Sequence, residues 1–279
     1  MATPRNAEPK VHSVMDFVNF LYNAPIWQMA CIIGLISVGG TVIALLIVDR
    51  IWKKDRRRSH NDIAGFFIAV VGVIYAILIS SLAITVMARK DRAENLVFEE
   101  VEKVAGLARE VMTLPEANRG AIRAHLSGYL EAVVDHEWPQ MRAAQRPTAG
   151  SKALHDLWLD AAALPVKDLA DMLTVKDFRA HIDDLYDIRR GRSDLAVNGV
   201  DRIVWVVVLL GSISMIAFAV LFGVENFAAH LLMSCLLSFS IALAMTMIVA
   251  IDWPYYGYDS ISADPLIELR AGLSDGSSP

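Results

Sequence analysis

The chain has 279 residues, of which 55% are hydrophobic and 20% are charged, and its formal net charge is −5. This mild charge says nothing about nucleic acid, and no basic stripe interleaved with aromatic residues suggests it, so we predict no nucleic-acid partner. The two cysteines, Cys31 and Cys235, lie in apolar runs, which excludes a disulfide framework and indicates small core residues. The sequence has no phosphate-binding loop, dinucleotide fingerprint or nucleophile elbow, so we predict no enzyme, no cofactor and no metal site.

Four apolar runs are each long enough to cross a bilayer, which requires a helix of about 20 residues. They cover Ile26–Val48, Ile63–Met87, Ile203–Val224 and Phe227–Ile251. We therefore predict an all-α integral membrane protein that carries a helical extramembrane domain. The predicted parts are an N-terminal segment (1–25), a first helix pair (26–87), a helical soluble domain (88–202), a second helix pair (203–251), and an aromatic turn with a C-terminal tail (252–279).

The linker between the first two spans, residues 49–62, holds six Lys and Arg side chains. Because short basic loops stay on the cytoplasmic side, this linker predicts that the soluble domain lies on the outer side of the membrane. The flanks of the soluble domain are also basic, which leaves the opposite orientation open. A second interpretation of the linker is that it binds anionic lipids of the surrounding bilayer.

Valines and an alanine spaced by four and three residues continue from the second span into the soluble domain. This seam, with members from Val97 to Val111, predicts one unbroken helix from Ile63 to Leu114, packed along another helix. We therefore expect the soluble domain to be formed largely by extensions of the second and third spans.

Three further helices are predicted in the soluble domain. The first runs from Glu116 to Trp138 and stops at Pro139, and the second begins after an N-cap at Ser151. The third starts near Val166 and continues into the third span. We expect it to bury Leu169, Phe178, Ile182 and Leu185.

Ionisable side chains gather at the ends of the spans, where placing charge near hydrocarbon costs free energy. They are Asp62, Glu225, His230, Arg202 and Asp252. Internal ion pairs, such as Arg202 with Asp252, are one explanation; the other is that they line the mouth of an ion path. His230 could titrate near neutral pH, or it could be a hydrogen-bonded or headgroup-facing side chain.

Two further patterns concern the ends of the membrane region. Gly65 and Gly72 are seven residues apart and share one helical face, which predicts a close helix contact or, as an alternative, a pore lining. The aromatic cluster in residues 252–259 predicts a turn at the membrane interface. Residues 271–279 are predicted to be disordered.

Several motifs match a known family in order and spacing. They are His60-Asn61-Asp62-x-Ala64-Gly65-Phe66 with Gly72 and Tyr75; Tyr129 followed by Glu137-Trp138-Pro139; Arg189-Arg190-x-Arg192; Phe222-Gly223 with His230; and Asp252-x-Pro254-Tyr255-x-Gly257. With these residues the chain resembles the bacterial bestrophin-like domain family, a group of membrane proteins remotely similar to the bestrophins. Bestrophins are pentameric anion channels with four membrane helices per subunit and a cytosolic helical domain.

The resemblance implies a multi-pass, homo-oligomeric channel of the bacterial inner membrane. It would conduct anions, and its second span would line the axis and carry a hydrophobic neck. The pore or neck residues that the resemblance implies are Ile68, Val71, Gly72, Tyr75, Leu78 and Leu82. It implies a cytosolic soluble domain, whereas the basic linker predicts a periplasmic one. The alternative function is a non-conducting structural or accessory membrane protein that binds a protein partner through its extramembrane helices.

Overall fold

A computed structural model describes residues 20–52 and 61–274 of the chain. Nine α-helices, one π-helix and a short helical segment that begins at residue 20 make up nearly all of this part, and no strand occurs within it. The α-helices are α1 (Ile26–Ile51), α2 (Asn61–Val111), α3 (Glu116–Glu131), α4 (Trp138–Arg142), α5 (Gly150–Ala162), α6 (Leu169–Val197), α7 (Arg202–Leu221), α8 (Phe227–Ile251) and α9 (Asp264–Ser274). The π-helix covers Ala132–Glu137, between α3 and α4.

Four of the helices are long and apolar enough to cross a membrane, which confirms the predicted all-α membrane fold. They are α1, α2 from Gly65 onward, α7 and α8. The second helix is unbroken for 51 residues, as the valine seam predicts. Of the six basic residues in the predicted linker, only Arg50 is described; the other five lie at positions 53–58, outside the described residues.

The described chain divides into two compact units, and α2 contributes to both. The membrane unit comprises residues 20–52, 61–88, 200–252 and 257–259. The soluble unit comprises residues 89–199, 253–256 and 260–274. Each unit has its own apolar core.

One face of α2 packs inside the membrane unit. Its buried residues Tyr75, Leu82 and Val86 share a cluster with Met215 of α7 and Ile241 of α8. A Cβ added at Gly72 would lie 3.4 Å from Cε of Met215, and one added at Gly65 would lie 3.9 Å from Cζ of Phe222. Both glycines therefore face the neighbouring chain segment, as their seven-residue spacing predicts for a helix contact.

The core of the soluble unit contains the predicted seam of α2. Val97, Val104 and Val111 are buried in it, together with Phe178 and Ile182 of α6. The predicted burial of Leu169 is wrong, because this first residue of α6 is 66% exposed. The apolar pattern of α6 reaches the core only from Val175 onward, one and a half turns into the helix.

Pro139 does not stop its helix, contrary to the prediction. The chain passes from α3 into a π-helix, whose hydrogen bonds reach the N–H of Trp138, and Pro139 follows in the first turn of α4. The backbone N–H that proline lacks is therefore missing at the join between the two helices. The predicted N-cap at Ser151 is also wrong, since α5 begins at Gly150 and has no side-chain cap. The backbone N–H of Gly150 donates instead to Oε1 of Glu137, at 2.8 Å.

The third span is not continuous with the soluble unit, which differs from the prediction. Helix α6 ends at Val197 and α7 begins at Arg202, and the connection between them starts with Asn198 in an extended conformation. The backbone N–H of Val200 donates to Oδ1 of Asp252 at 2.8 Å, so a buried carboxylate holds the start of the span. Residues 271–274, predicted to be disordered, belong to α9, which buries Leu266 and Leu269 in the soluble core.

Candidate functional site

The residues implied as a pore or neck lie on different sides of α2. Tyr75 and Leu82 are buried in the membrane unit, and Ile68 and Val71 pack against the same cluster. The Tyr75 hydroxyl lies 2.7 Å from Oγ of Ser212 on α7, which fixes the ring inside the unit. Gly72 faces Met215 on the same side of the helix. Leu78, at 39% exposure, is the one residue of the six on the outer side.

An exposed stripe follows Leu78 along α2. It consists of Phe67, Ile74, Leu78, Ser81 and Thr85, whose spacing of seven, four, three and four residues places them on one helical face. The first three are apolar and the last two carry hydroxyls. Because Thr85 donates to the Ser81 carbonyl oxygen at 2.8 Å, its hydroxyl is satisfied within the helix. We call these five residues the outer stripe.

The boundary residues divide into buried and exposed side chains. His230 is buried, and its Nε2 lies 2.8 Å from the Ala219 carbonyl oxygen, so it is a hydrogen-bonded histidine of the helix pair. Asp252 is buried and accepts a hydrogen bond from the Val200 backbone. Arg202 and Glu225 are exposed at the two ends of the third span. The side chain of Asp62 lies outside those that the structure describes.

A buried ion-pair cluster lies in the soluble unit. Arg192 of α6 is fully buried; its Nε lies 2.7 Å from Oε2 of Glu100 on α2, and its Nη2 lies 3.0 Å from Oε2 of Glu137. Arg189, one turn earlier, pairs with the other carboxylate oxygen of Glu137. Two cations thus face two carboxylates away from solvent. We call Glu100, Glu137, Arg189 and Arg192 the buried cluster.

Aromatic side chains enclose the buried cluster. The Tyr129 hydroxyl donates to Oε1 of Glu100 at 2.5 Å, and the guanidinium carbon of Arg192 lies 5.6 Å from the ring centroid of Trp138. Tyr255 packs edge-on against Trp138 and donates to the Ala93 carbonyl oxygen at 3.0 Å. Tyr255 is therefore a core residue of the soluble unit, and its predicted place in an aromatic belt at the membrane interface is wrong.

The charges and the burial set the protonation states of these side chains. Burial, followed by the negative charge of Glu100, raises the pKa of Tyr129 well above its usual value, so the phenol keeps its proton and remains a donor. Burial alone would lower the pKa of Arg192, but the adjacent carboxylates of Glu100 and Glu137 hold it above its usual value. Arg192 therefore keeps its positive charge within the buried cluster.

The local chain geometry explains how Glu137 reaches the cluster. It is the last residue of the π-helix, whose wider turn shifts the following side chains relative to α3. Its Oε1 also accepts from the backbone of Gly150, and a Cβ at that position would lie 3.2 Å from the same oxygen. Glycine at position 150 thus allows the start of α5 to approach the carboxylate. The cluster ties together α2, the π-helix, α5 and α6.

The stability of the soluble unit is expected to fall in acid through Glu137. Burial raises the pKa of Glu137, but Arg192 and Arg189 outweigh it and hold the pKa below its ordinary value. A carboxylate with a lowered folded-state pKa contributes stability above its unfolded pKa, about 4.3, and loses it as the pH falls through the folded value. Thermal unfolding of the purified protein between pH 7 and pH 3 measures this loss.

Glu137→Gln is the matched control for this acid dependence. The variant is less stable than the parent at pH 7, but its unfolding temperature should change less over the acid range because the titrating group is gone. Equal pH slopes for the parent and the variant would contradict the assignment.

The family of the chain follows from a comparison with known protein families. The model of the bestrophin-like domain matches residues 35–266, which is most of the chain. The chain belongs to the bestrophin-like domain family. The predicted resemblance is thus confirmed, and the matched region contains all four members of the buried cluster and the whole outer stripe.

Solved structures with the same fold are bacterial bestrophin homologues. The bestrophin-like chain superposes on one from Klebsiella pneumoniae with a TM-score of 0.66 at 14% identity, covering 88% of this chain and 98% of that one. A single-residue variant from the same organism gives a TM-score of 0.68 at 13% identity, covering 92% and 100%. At this identity the likeness shows the fold. No curated protein matches the chain.

The motifs that carried the resemblance converge in the bestrophin-like chain. Tyr129, Glu137, Arg189, Arg192 and Tyr255 come from three separate motifs and meet in or around the buried cluster. Sequence reasoning missed Glu100, the fourth charged member. One signal could have found it: Glu100 lies three residues after Val97 and four before Val104, so it is a carboxylate in phase with a buried seam. Within the described residues no group of three metal-ligating side chains occurs.

Proposed function

We propose that the bestrophin-like chain forms a homo-oligomeric channel in the bacterial inner membrane and that it conducts anions. The observation that carries this proposal is the bestrophin-like fold with four membrane helices, one of which presents an exposed, regular stripe unused by the packing of its own chain. We propose no catalytic activity. The basic linker supports a periplasmic soluble unit, because Lys and Arg concentrate on the cytoplasmic side of short loops.

The axis of the assembly is proposed to lie against the outer stripe of α2. Tyr75 and Leu82 support the helix from behind, because both are packed against α7 and α8 of the same chain. Among the residues implied by the family resemblance, Leu78 alone has the exposure that a pore lining needs. We therefore propose Ile74 and Leu78 as the hydrophobic constriction and the hydroxyls of Ser81 and Thr85 as the polar part of the lining.

The chemistry of the outer stripe suits anions better than cations. It contains no carboxylate, and cation channels use rings of Asp or Glu to attract their ions. The Ser81 hydroxyl can donate a hydrogen bond to a partly dehydrated anion, whereas the single proton of Thr85 is held by the Ser81 carbonyl oxygen and must leave it to do so. Apolar constrictions gate by losing their water. The outer stripe contains apolar side chains followed by hydroxyl groups along the same helix.

Leu78→Ala is expected to raise anion flux several-fold, because a smaller side chain widens an apolar constriction and lets it stay hydrated. Leu78→Trp should abolish flux. The measurement is chloride efflux from vesicles of phosphatidylcholine and phosphatidylglycerol that contain the purified protein, with the reversal potential in planar bilayers giving the ratio of chloride to potassium permeability.

Ile84 provides the control, because it lies on the same membrane helix, is 67% exposed and is turned by about 120° from Leu78 around the helix axis. Ile84→Ala and Ile84→Trp should leave flux unchanged. Absence of any conductance in the parent protein would overturn the channel, whereas equal effects at Leu78 and Ile84 would overturn the lining alone.

One observation favours the second candidate, a non-conducting accessory protein that binds a partner. The connection before α6 and its first turn expose four apolar side chains outside the membrane unit: Val166, Leu169, Met172 and Leu173. Contiguous apolar patches on a soluble surface mark sites of protein interaction. Under this candidate the parent protein conducts nothing, and Leu169→Ser with Leu173→Ser abolishes the association of a partner during purification.

A further inference from the structure

An apolar groove runs along the outside of the membrane unit, between α1 and α7. It encloses about 490 Å³. Its walls are almost entirely apolar and include Ile36, Gly40, Ala44 and Val48 from α1, and Ile213 and Leu221 from α7. Both walls are membrane-spanning helices, so the surroundings of the groove are the hydrocarbon of the bilayer. The occupant must therefore come from the membrane or from another membrane helix.

The floor of the groove contains hydroxyl groups that already satisfy one another. Oγ of Ser37 lies 2.7 Å from Oγ of Ser238, and Oγ1 of Thr41 lies 2.9 Å from the same oxygen. The Thr41 hydroxyl also lies 2.9 Å from the Ser37 carbonyl oxygen. These bonds join α1 to α8 and leave the floor no preference for a polar ligand. An apolar occupant fits the groove without leaving a hydroxyl unpaired.

The length of the groove matches a lipid chain with its headgroup. From Ile36 to Trp52 it follows about 24 Å of α1, at 1.5 Å per residue. One leaflet provides about 15 Å of hydrocarbon, half of the usual core thickness. The remainder reaches the headgroup layer, where Trp52 stands half-exposed at the end of the groove. Tryptophan prefers that layer because its ring is apolar and its N–H is polar.

The charge at the same end of the groove complements an anionic headgroup. Arg50 is exposed in the last turn of α1, at the depth of this end of the groove, although it does not line the groove. In the amino-acid sequence five more basic residues follow between positions 53 and 58, outside the described residues. Basic residues beside a membrane helix attract anionic lipids. We propose that the groove binds one acyl chain of an anionic phospholipid, with the headgroup beside Trp52 and at the depth of Arg50. This binding does not depend on whether the protein conducts ions.

The test uses the full-length protein in phosphatidylcholine vesicles that contain phosphatidylglycerol with a photoreactive acyl chain. After irradiation, mass spectrometry locates the labelled residues. We expect labelling to concentrate on the groove, at Gly40, Ala44 and Ile213, rather than on exposed residues outside it such as Ile43. Uniform labelling of all lipid-facing residues would overturn the proposal, because it would show bulk lipid only.

Gly40→Leu is the blocking variant. A Cβ at Gly40 meets no atom within 4 Å, so a larger side chain fills the groove without disturbing the packing of the chain. Labelling of the groove should be lost. Gly39→Leu is the matched control, because a Cβ there also meets nothing within 4 Å and Gly39 does not line the groove. Equal labelling in the two variants would contradict a bound chain.

Two further variants test the headgroup and a competing occupant of the groove separately. Arg50→Gln should lower the preference for phosphatidylglycerol over phosphatidylcholine about fivefold, the equivalent of one basic residue near the surface. An unchanged preference would overturn the anionic headgroup. Intermolecular disulfides formed by Ala44→Cys, in a background with Cys31 and Cys235 replaced by serine, would show a second copy in the groove and would overturn lipid as the occupant.

Discussion

Arg192→Met is expected to lower the free energy of unfolding of the soluble unit by about 3–5 kcal/mol, the cost of removing one partner from a buried ion pair. The Arg192 side chain is fully buried between Glu100 and Glu137, so solvent does not reach these carboxylates to replace its charge. Methionine fills a similar volume but leaves the carboxylate of Glu100 without a cation. Thermal and urea unfolding of the purified protein, followed by tryptophan fluorescence, measure the loss.

Two variants separate this effect from a general effect of lost charge. Arg190→Met removes the same kind of side chain two residues away, where it is exposed, and should change stability by less than about 0.5 kcal/mol. Adding Glu100→Gln to Arg192→Met removes the uncompensated charge and should recover part of the loss. If Arg192→Met were as stable as Arg190→Met, the buried cluster would not hold the soluble unit together.

Gly211→Val is expected to destabilise the membrane unit by about 3 kcal/mol, at the upper end of the cost of overpacking a core. A Cβ at this position of α7 would lie 2.6 Å from Cδ2 of Tyr75. The ring has little freedom to move away, because its hydroxyl is hydrogen-bonded to Ser212 on the same helix. Helices α2 and α7 must therefore separate to accept the side chain. The melting temperature in detergent measures the effect.

Gly39→Val is the control for this prediction. It places the same side chain on a membrane helix where a Cβ meets no atom within 4 Å, and it should leave the melting temperature nearly unchanged. Combining Gly211→Val with Tyr75→Ala should restore part of the stability, because the clashing ring is removed. Failure of that rescue would show that Tyr75 is not the group that excludes a side chain at position 211.

The membrane helices were predictable because their signal is local. A run of about 20 apolar residues has few alternatives to a span, and α1, α7 and α8 begin within one residue of their predicted starts. The continuity of α2 was predictable because the valine seam carries the helical period past the end of the apolar run. The break between α6 and α7 was missed although Asn198-Gly199 is a recognised turn signal.

The candidate sites were harder to predict because they depend on contacts between distant residues. An aromatic cluster next to a span has the composition of an interfacial belt, and this composition predicts Tyr255 at the membrane interface. The same ring is suited to a core that contains Arg192 and Trp138. Composition alone does not distinguish an interfacial position from a core position. Likewise, the side of α2 that packs inward depends on Met215 and Ile241, which lie more than 120 residues further along the chain.

The residues that form the core of the soluble unit are synthesised at widely separated times. Glu100 and Glu137 leave the ribosome before Arg189 and Arg192, and Tyr255 follows only after the whole of α8 has been made. Until then the core of the soluble unit lacks the ring that packs on Trp138, as well as Leu266 and Leu269 of α9. A chain truncated before residue 252 would therefore carry all four spans and still lack a closed soluble core. The core of the soluble unit is therefore completed only after α8, the last membrane helix, has been synthesised.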